Sequence, residues 1–286
     1  RIAAAEERLL AARIALHLAA RKESAKPDVL RLDRHDAVAE LLGYEDRAPH
    51  ELAPHLLLRD LYLAARTIDH VHRRAWALID ADVTRGRRRL RRPTEREIDG
   101  FELVDGVLRL PADAEVDDAE LPARLLVALT ESGAVLDRGS AGRLRSRADA
   151  VLAGQLASPW RWSDTSRHRL VGVLQRGTVS LSALAELDEV GLWTAWVPEW
   201  APLRGRAQRN PYHRFALDRH AWHAAAELGE LVRRAPWAAE TLVDVDDREA
   251  LFLGVLLHDV GKAVGEPHAE TGVPLARDIA ARMGAS

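Results

Sequence analysis

The chain has 286 residues, with 41 Lys plus Arg against 44 Asp plus Glu, a formal net charge of -3 and 47% apolar residues. That is long enough for one large or two ordinary domains and apolar enough for a packed core, so disorder is not the expectation. There is no cysteine. This excludes a disulfide framework, a thiolate metal site and a catalytic thiol, and leaves histidines and carboxylates as the side chains that can hold a metal.

The first eighty residues are rich in Ala, Leu and Arg, and their apolar positions recur at three and four, the period of a helix. Leu10, Ile14 and Leu18 form one such stripe. Leu58, Leu61, Tyr62, Ala65, Ile68, His72, Trp76 and Ile79 form a longer one, which predicts a single long helix. Between them a short helix carries Val38, Leu41 and Leu42, with Asp33 or Asp36 placed to cap it and Gly43 placed to end it. Six arginines then fall within residues 85–92, before Pro93. This run reads as a solvated connector rather than a nucleic-acid patch, because it has no interleaved aromatics and the overall charge is negative. From Phe101 the period changes: apolar residues flank Asp105-Gly106, which predicts a small two-stranded hairpin. Four further helices follow, over about 121–130, 141–156, 163–175 and 180–190. The span 191–202 holds three tryptophans and two prolines and reads as an ordered, aromatic-anchored connection. Its tryptophans, with Trp160 and Trp162, are better explained as core anchors than as a base-stacking platform. Three last helical segments are predicted over 218–234, 246–259 and 268–283. The longest apolar stretch near the end, residues 251–257, is far short of the roughly 20 residues a bilayer span needs. A soluble, cytoplasmic protein with neither membrane nor nucleic-acid partner is therefore expected. It is read as a piece of a longer chain, since it opens on Arg1 and runs out of a helical pattern.

Chemistry concentrates in the last 75 residues. His213, His220, His223, His258 and His268 all lie there, and the densest point is His258-Asp259-Val260-Gly261-Lys262. Adjacent side chains on a helix diverge by roughly 100°, so His258 and Asp259 can reach one ion only near a helix end. Imidazole and carboxylate together suit Mg²⁺, Mn²⁺, Fe or Zn²⁺. His220, on the preceding helix, is the candidate third ligand. Lys262 and His268 are candidates to meet anionic oxygens, as electrostatic stabiliser or proton donor. The pairs Asp80-Ala81-Asp82 and Asp244-Val245-Asp246 have the spacing of a nucleotidyltransferase metal pair but no Gly-rich turn before them, and read as surface charge.

The run YHRFALDRH at 212–220, HDVGK at 258–262 and HAETG at 268–272 resembles an HD-superfamily phosphohydrolase domain. More narrowly, the chain resembles the bifunctional uridylyltransferase/uridylyl-removing enzymes of PII signalling. That resemblance also rests on LWTAWVPEWAPLRGRAQRNPY at 192–212, ERLLAARIALHLAAR at 7–21, LGY at 42–44 and LYLAAR at 61–66. It implies a mainly α protein, a helical bundle with one small β-hairpin followed by an incomplete all-α HD domain. Residues 1–205 would be a helical nucleotidyltransferase-associated domain and 206–286 the N-terminal part of the HD domain. His220, His258 and Asp259 match the metal ligands of that domain, and His213 and His268 match further histidines of its site. The resemblance further implies a divalent metal, Mg²⁺ or Mn²⁺, the PII protein as substrate, and UTP/UMP or ATP/AMP as the nucleotide. The segment 263–267 departs from the family's usual Gly-rich linker, and by this resemblance the chain stops at Ser286 short of the later His and closing Asp of the pattern and lacks the transferase core. The fragment alone is expected to bind metal weakly and turn over little. Two other readings fit the same residues: an HD hydrolase acting on a free nucleotide, and a non-catalytic helical docking or sensing module.

Overall fold

A computed structural model describes residues 1–20, 28–47, 51–87, 95–208, 215–263 and 268–285. The chain is mainly α, with one small sheet, and divides into two compact units. One comprises Arg1–His72 with Pro202–His220, the other Arg73–Ala201 with Ala221–Ser286.

In the first unit, α1 (Ile2–Ala19) and α2 (His35–Leu41) pack with the start of the long helix α3 (Ala53–Arg87). Their shared core is Ala15, Leu16, Val38, Ala39 and Leu57. The predicted inward stripe on α1 is corrected here. Leu10, Ile14 and Leu18 are 58%, 52% and 72% exposed, and the buried face is instead Ala5, Ala12, Ala15 and Leu16. A face made of alanines allows close helix approach, and hydrophobic period alone does not say which of two apolar faces turns inward. Neither Asp33 nor Asp36 caps α2 with its side chain; a 3₁₀ turn at Leu32–Arg34 leads into it instead. Gly43 does take the left-handed conformation that ends it, at φ 73°. Helix α3 is single and long, as predicted, though Trp76 and Ile79 on its stripe are exposed. The arginine run begins inside its last turn, and residues 88–92 of the run lie outside the described residues.

The second unit opens with more sheet than the sequence reading expected. Strands β1 (Glu95–Ile98), β2 (Phe101–Val104) and β3 (Val107–Arg109) form two successive antiparallel hairpins, and β4 (Val135–Leu136) adds parallel to β3. Both turns are Asp-Gly. Asp105 and Gly106 have φ of 50° and 83°, and Asp99 and Gly100, 51° and 83°. These are the paired positive φ values that a two-residue hairpin turn needs. The sheet covers α4 (Leu121–Ser132), the centre of this unit, where Leu121, Leu125, Leu126 and Leu129 are fully buried. Around it pack α6 (Asp164–Gln175), α7 (Ser180–Glu189) and α8 (Leu192–Trp196), and α5 (Arg138–Leu152) packs on α8. Asp137 caps α5 through the backbone N–H of Gly139 at 2.8 Å, and Ser163 caps α6 through that of Ser166 at 3.0 Å.

The tryptophans of the 191–202 span are core, and Trp222 joins them. Trp193, Trp196, Trp200 and Trp222 are fully buried, with Trp193 meeting the edges of Trp200 and Trp222 at centroid distances of 5.4 and 5.6 Å. Then come α9 (Leu217–Arg234), α10 (Pro236–Val243), α11 (Arg248–Leu257) and α12 (His268–Arg282). Helix α10 is an addition to the sequence reading, started by Pro236 in its first turn. Among the described residues, no helix is long and apolar enough to cross a membrane.

Candidate metal centre

Helix α11 begins at the Asp247 cap, which accepts from the Ala250 N–H at 2.8 Å. It buries Phe252, Leu253, Leu256 and Leu257 and ends at His258. A 3₁₀ turn, Val260–Ala263, takes over at once, so Asp259 lies at the junction of two helical geometries. There the divergence of neighbouring side chains relaxes, and the Nε2 of His258 comes to 3.3 Å from Asp259 Oδ2. The Nδ1 of His258 lies 2.7 Å from the Val255 carbonyl oxygen, an atom with no proton to give. Nδ1 therefore carries a hydrogen; Nε2 carries one too while it donates to the Asp259 carboxylate, and offers a lone pair to a cation once that proton is displaced.

Lys262 Nζ donates to the same Asp259 Oδ2 at 2.7 Å. Partial burial alone would push the Asp259 carboxyl up, but the hydrogen bonds from His258 and Lys262 outweigh it and hold the group well below the usual carboxylate range. It is ionised at any working pH. In return the Asp259 carboxylate raises the His258 imidazole above its ordinary 6.5. Close packing of the next helix fixes the turn: a Cβ at Gly272 in α12 would lie 3.2 Å from the Gly261 Cα.

His220 sits in the first turn of α9, a helix that runs unbroken to Arg234. Among the described residues, His220, His258 and Asp259 each offer one atom of a kind that binds a metal ion. Within the second unit, the imidazole of His258 and the ionised carboxylate of Asp259, 3.3 Å apart, make a donor pair that a divalent ion can use. His268 is the first residue of α12. His213 lies outside the described residues.

Reasoning from the sequence did not single out Asp218, two positions before His220. Its carboxylate is fully buried and takes the Arg66 guanidinium in a two-pronged pair, Nη1 to Oδ2 at 2.5 Å and Nη2 to Oδ1 at 2.7 Å. The partners are 152 residues apart, beyond any local spacing signal.

Comparison with curated proteins gives a consistent set of relatives named bifunctional uridylyltransferase/uridylyl-removing enzyme. The chain is 32% identical to the one from Streptomyces coelicolor over 99% of its own length, and 31% identical to the one from Mycobacterium tuberculosis over 88%. A third relative, from Ruegeria pomeroyi, is 27% identical over 99% of the chain. The chain is homologous to a stretch of the bifunctional uridylyltransferase/uridylyl-removing enzymes. It spans about a third of the length of these relatives, 32% of the Streptomyces protein and 29% of the Mycobacterium one. No protein-family profile and no solved structure matches it. As their name states, these enzymes both transfer a uridylyl group and remove it.

Proposed function

We propose that residues 206–286 are the N-terminal part of an HD-type phosphohydrolase domain, and that His220, His258 and Asp259 hold a divalent cation, Mg²⁺ or Mn²⁺. Residues 1–205 would then be the helical region associated with the nucleotidyltransferase. The observation that carries this is the adjoining imidazole and ionised carboxylate of His258 and Asp259, 3.3 Å apart where α11 ends. The donor chemistry fits, since Asp259 stays ionised and His258 turns Nε2 away from the Val255 carbonyl that holds Nδ1.

When bound, the cation supplies Lewis acidity and a water of lowered pKa. In the protein that carries this chain, the substrate would be a nucleotidyl-tyrosine phosphodiester on the PII signalling protein. Water attacks phosphorus, the bond to the tyrosyl oxygen breaks, and UMP or AMP leaves while that oxygen takes a proton. Lys262, anchored on Asp259 at 2.7 Å, brings positive charge towards the phosphoryl oxygens. His268 and His213 are proposed as further groups for anionic oxygens and for the proton. A cytoplasmic setting goes with this reading.

The test is an incubation of the protein carrying this chain with nucleotidylated PII and Mn²⁺. Release of the nucleoside monophosphate is expected, and His258→Ala is expected to abolish it. No release from the unsubstituted protein refutes the role, and hydrolysis of free nucleotides alone favours a different HD hydrolase.

A further inference from the structure

We infer that the Arg66–Asp218 pair is a positioning device for His220. This rests on the metal-binding reading of His220 and extends it to residues that touch no ligand. Asp218 and His220 are i and i+2 on α9, roughly 200° apart around its axis. A carboxylate drawn to Arg66 thus turns the imidazole of His220 to the opposite side. The pair is well built for setting a rotation. Its two parallel hydrogen bonds, at 2.5 and 2.7 Å, fix direction as well as distance. Asp218 Oδ1 also accepts from the Arg219 N–H at 2.8 Å, so the carboxylate is tied to its own helix. Arg66 is itself largely buried, at 15% side-chain exposure against 0% for Asp218.

Magnitude shows why rotation matters. A side-chain tip stands about 5–6 Å from a helix axis, so a turn of about 10° swings it about 1 Å. A metal site tolerates errors of about 0.2 Å in ligand distance, and supporting shells must hold groups within about 0.5 Å. A first helical turn left to fray would exceed both. One turn further on, Trp222 is i+4 from Asp218 and packs into the tryptophan cluster. Asp218 and Trp222 therefore bracket His220 from one face of the helix and leave it the other. A buried ion pair is poor as a net source of stability, and setting a register is its best-attested use.

The experiment titrates the full chain with Co²⁺ and follows the visible absorption of the bound ion, with thermal melts alongside. Arg66→Lys keeps the charge and loses the fork. The double substitution Arg66→Met/Asp218→Leu removes both charges at similar volume and avoids leaving a buried carboxylate alone. Both variants are expected to fold, to bind Co²⁺ about 10- to 100-fold more weakly, and to show an altered absorption band. Unchanged affinity and band in the folded variants overturn the positioning role, and so does failure of both to fold, which would make the pair a purely structural element. His258→Ala separates this from the underlying reading. If that variant binds Co²⁺ as tightly as the parent, the metal centre itself is wrong; if it loses binding while the Arg66 variants keep it, only the positioning role falls.

Discussion

At Asp259 one carboxylate serves two cationic neighbours, the imidazole of His258 at 3.3 Å and the ammonium of Lys262 at 2.7 Å. A divalent ion at the same oxygen would be a third. Lys262 thus has opposed effects: it repels an incoming cation and competes for its ligand, yet it supplies positive charge where a phosphoryl group would lie. Replacement by Met at similar length removes both effects. Lys262→Met is expected to bind Mn²⁺ about tenfold tighter, a gain of about 1.4 kcal/mol, and to release nucleoside monophosphate more slowly. Calorimetric titration checks the first part and a turnover assay the second. Weaker Mn²⁺ binding in the variant would show that Lys262 orients Asp259 more than it opposes the ion. The His-Asp dipeptide was legible in the sequence because an apolar helix runs into it and a glycine follows. The tautomer of His258 was not, because it depends on where the Val255 carbonyl falls.

At the scale of elements, helices were legible from their period and the hairpin at Asp105-Gly106 from its turn chemistry. The second hairpin carries the same dipeptide at Asp99-Gly100 but follows a strand, Glu95–Ile98, that is mostly charged and exposed. It therefore gave no alternating apolar signal. The α1 stripe shows the converse failure, a strong pattern on the wrong face. Glycines inside helices are a third case that sequence cannot sort. In α9, a Cβ at Gly229 would run into the Leu174 carbonyl oxygen of α6 and come within 3.1 Å of Gln175. In α11, a Cβ at Gly254 would meet nothing within 4 Å. Helix propensity favours alanine at both sites by about 1 kcal/mol. At Gly229 backbone must move to admit the methyl, which costs about 1–3 kcal/mol or more and reverses the sign. Gly229→Ala is expected to lower Tm by several degrees, at about 2–4 °C per kcal/mol, while Gly254→Ala leaves it unchanged or raised. Equal melting points for the two variants would mean that α6 and α9 do not approach so closely.

Over the whole molecule, several ion pairs and ring contacts among the described residues tie positions far apart in sequence, beyond the reach of any local spacing signal. Trp222 and Asp218 meet partners 29 and 152 positions away. Near the end of the described chain, Arg167 reaches Glu249 at 2.7 Å and donates to the backbone oxygens of Met283 and Gly284 at 3.1 and 2.6 Å. Arg282, at the close of α12, grips both oxygens of Glu199 in the turn that carries Trp200, one of the two contacts being 2.6 Å. Glu199 makes this second clamp testable by acid. Burial would push its carboxyl up, but the hydrogen bonds and charge of Arg282 prevail and set it below 4.5, its ordinary value. A carboxyl depressed by folding adds stability that is complete above 4.5 and is lost as the pH falls through the folded value. The parent should therefore lose Tm more steeply than Glu199→Gln from about pH 5 to about pH 3, and the gap between them should close with acid. A gap that stays constant over that range would mean that Glu199 does not change its ionisation on folding, and that α12 is held by Arg167 and its buried apolar side chains instead.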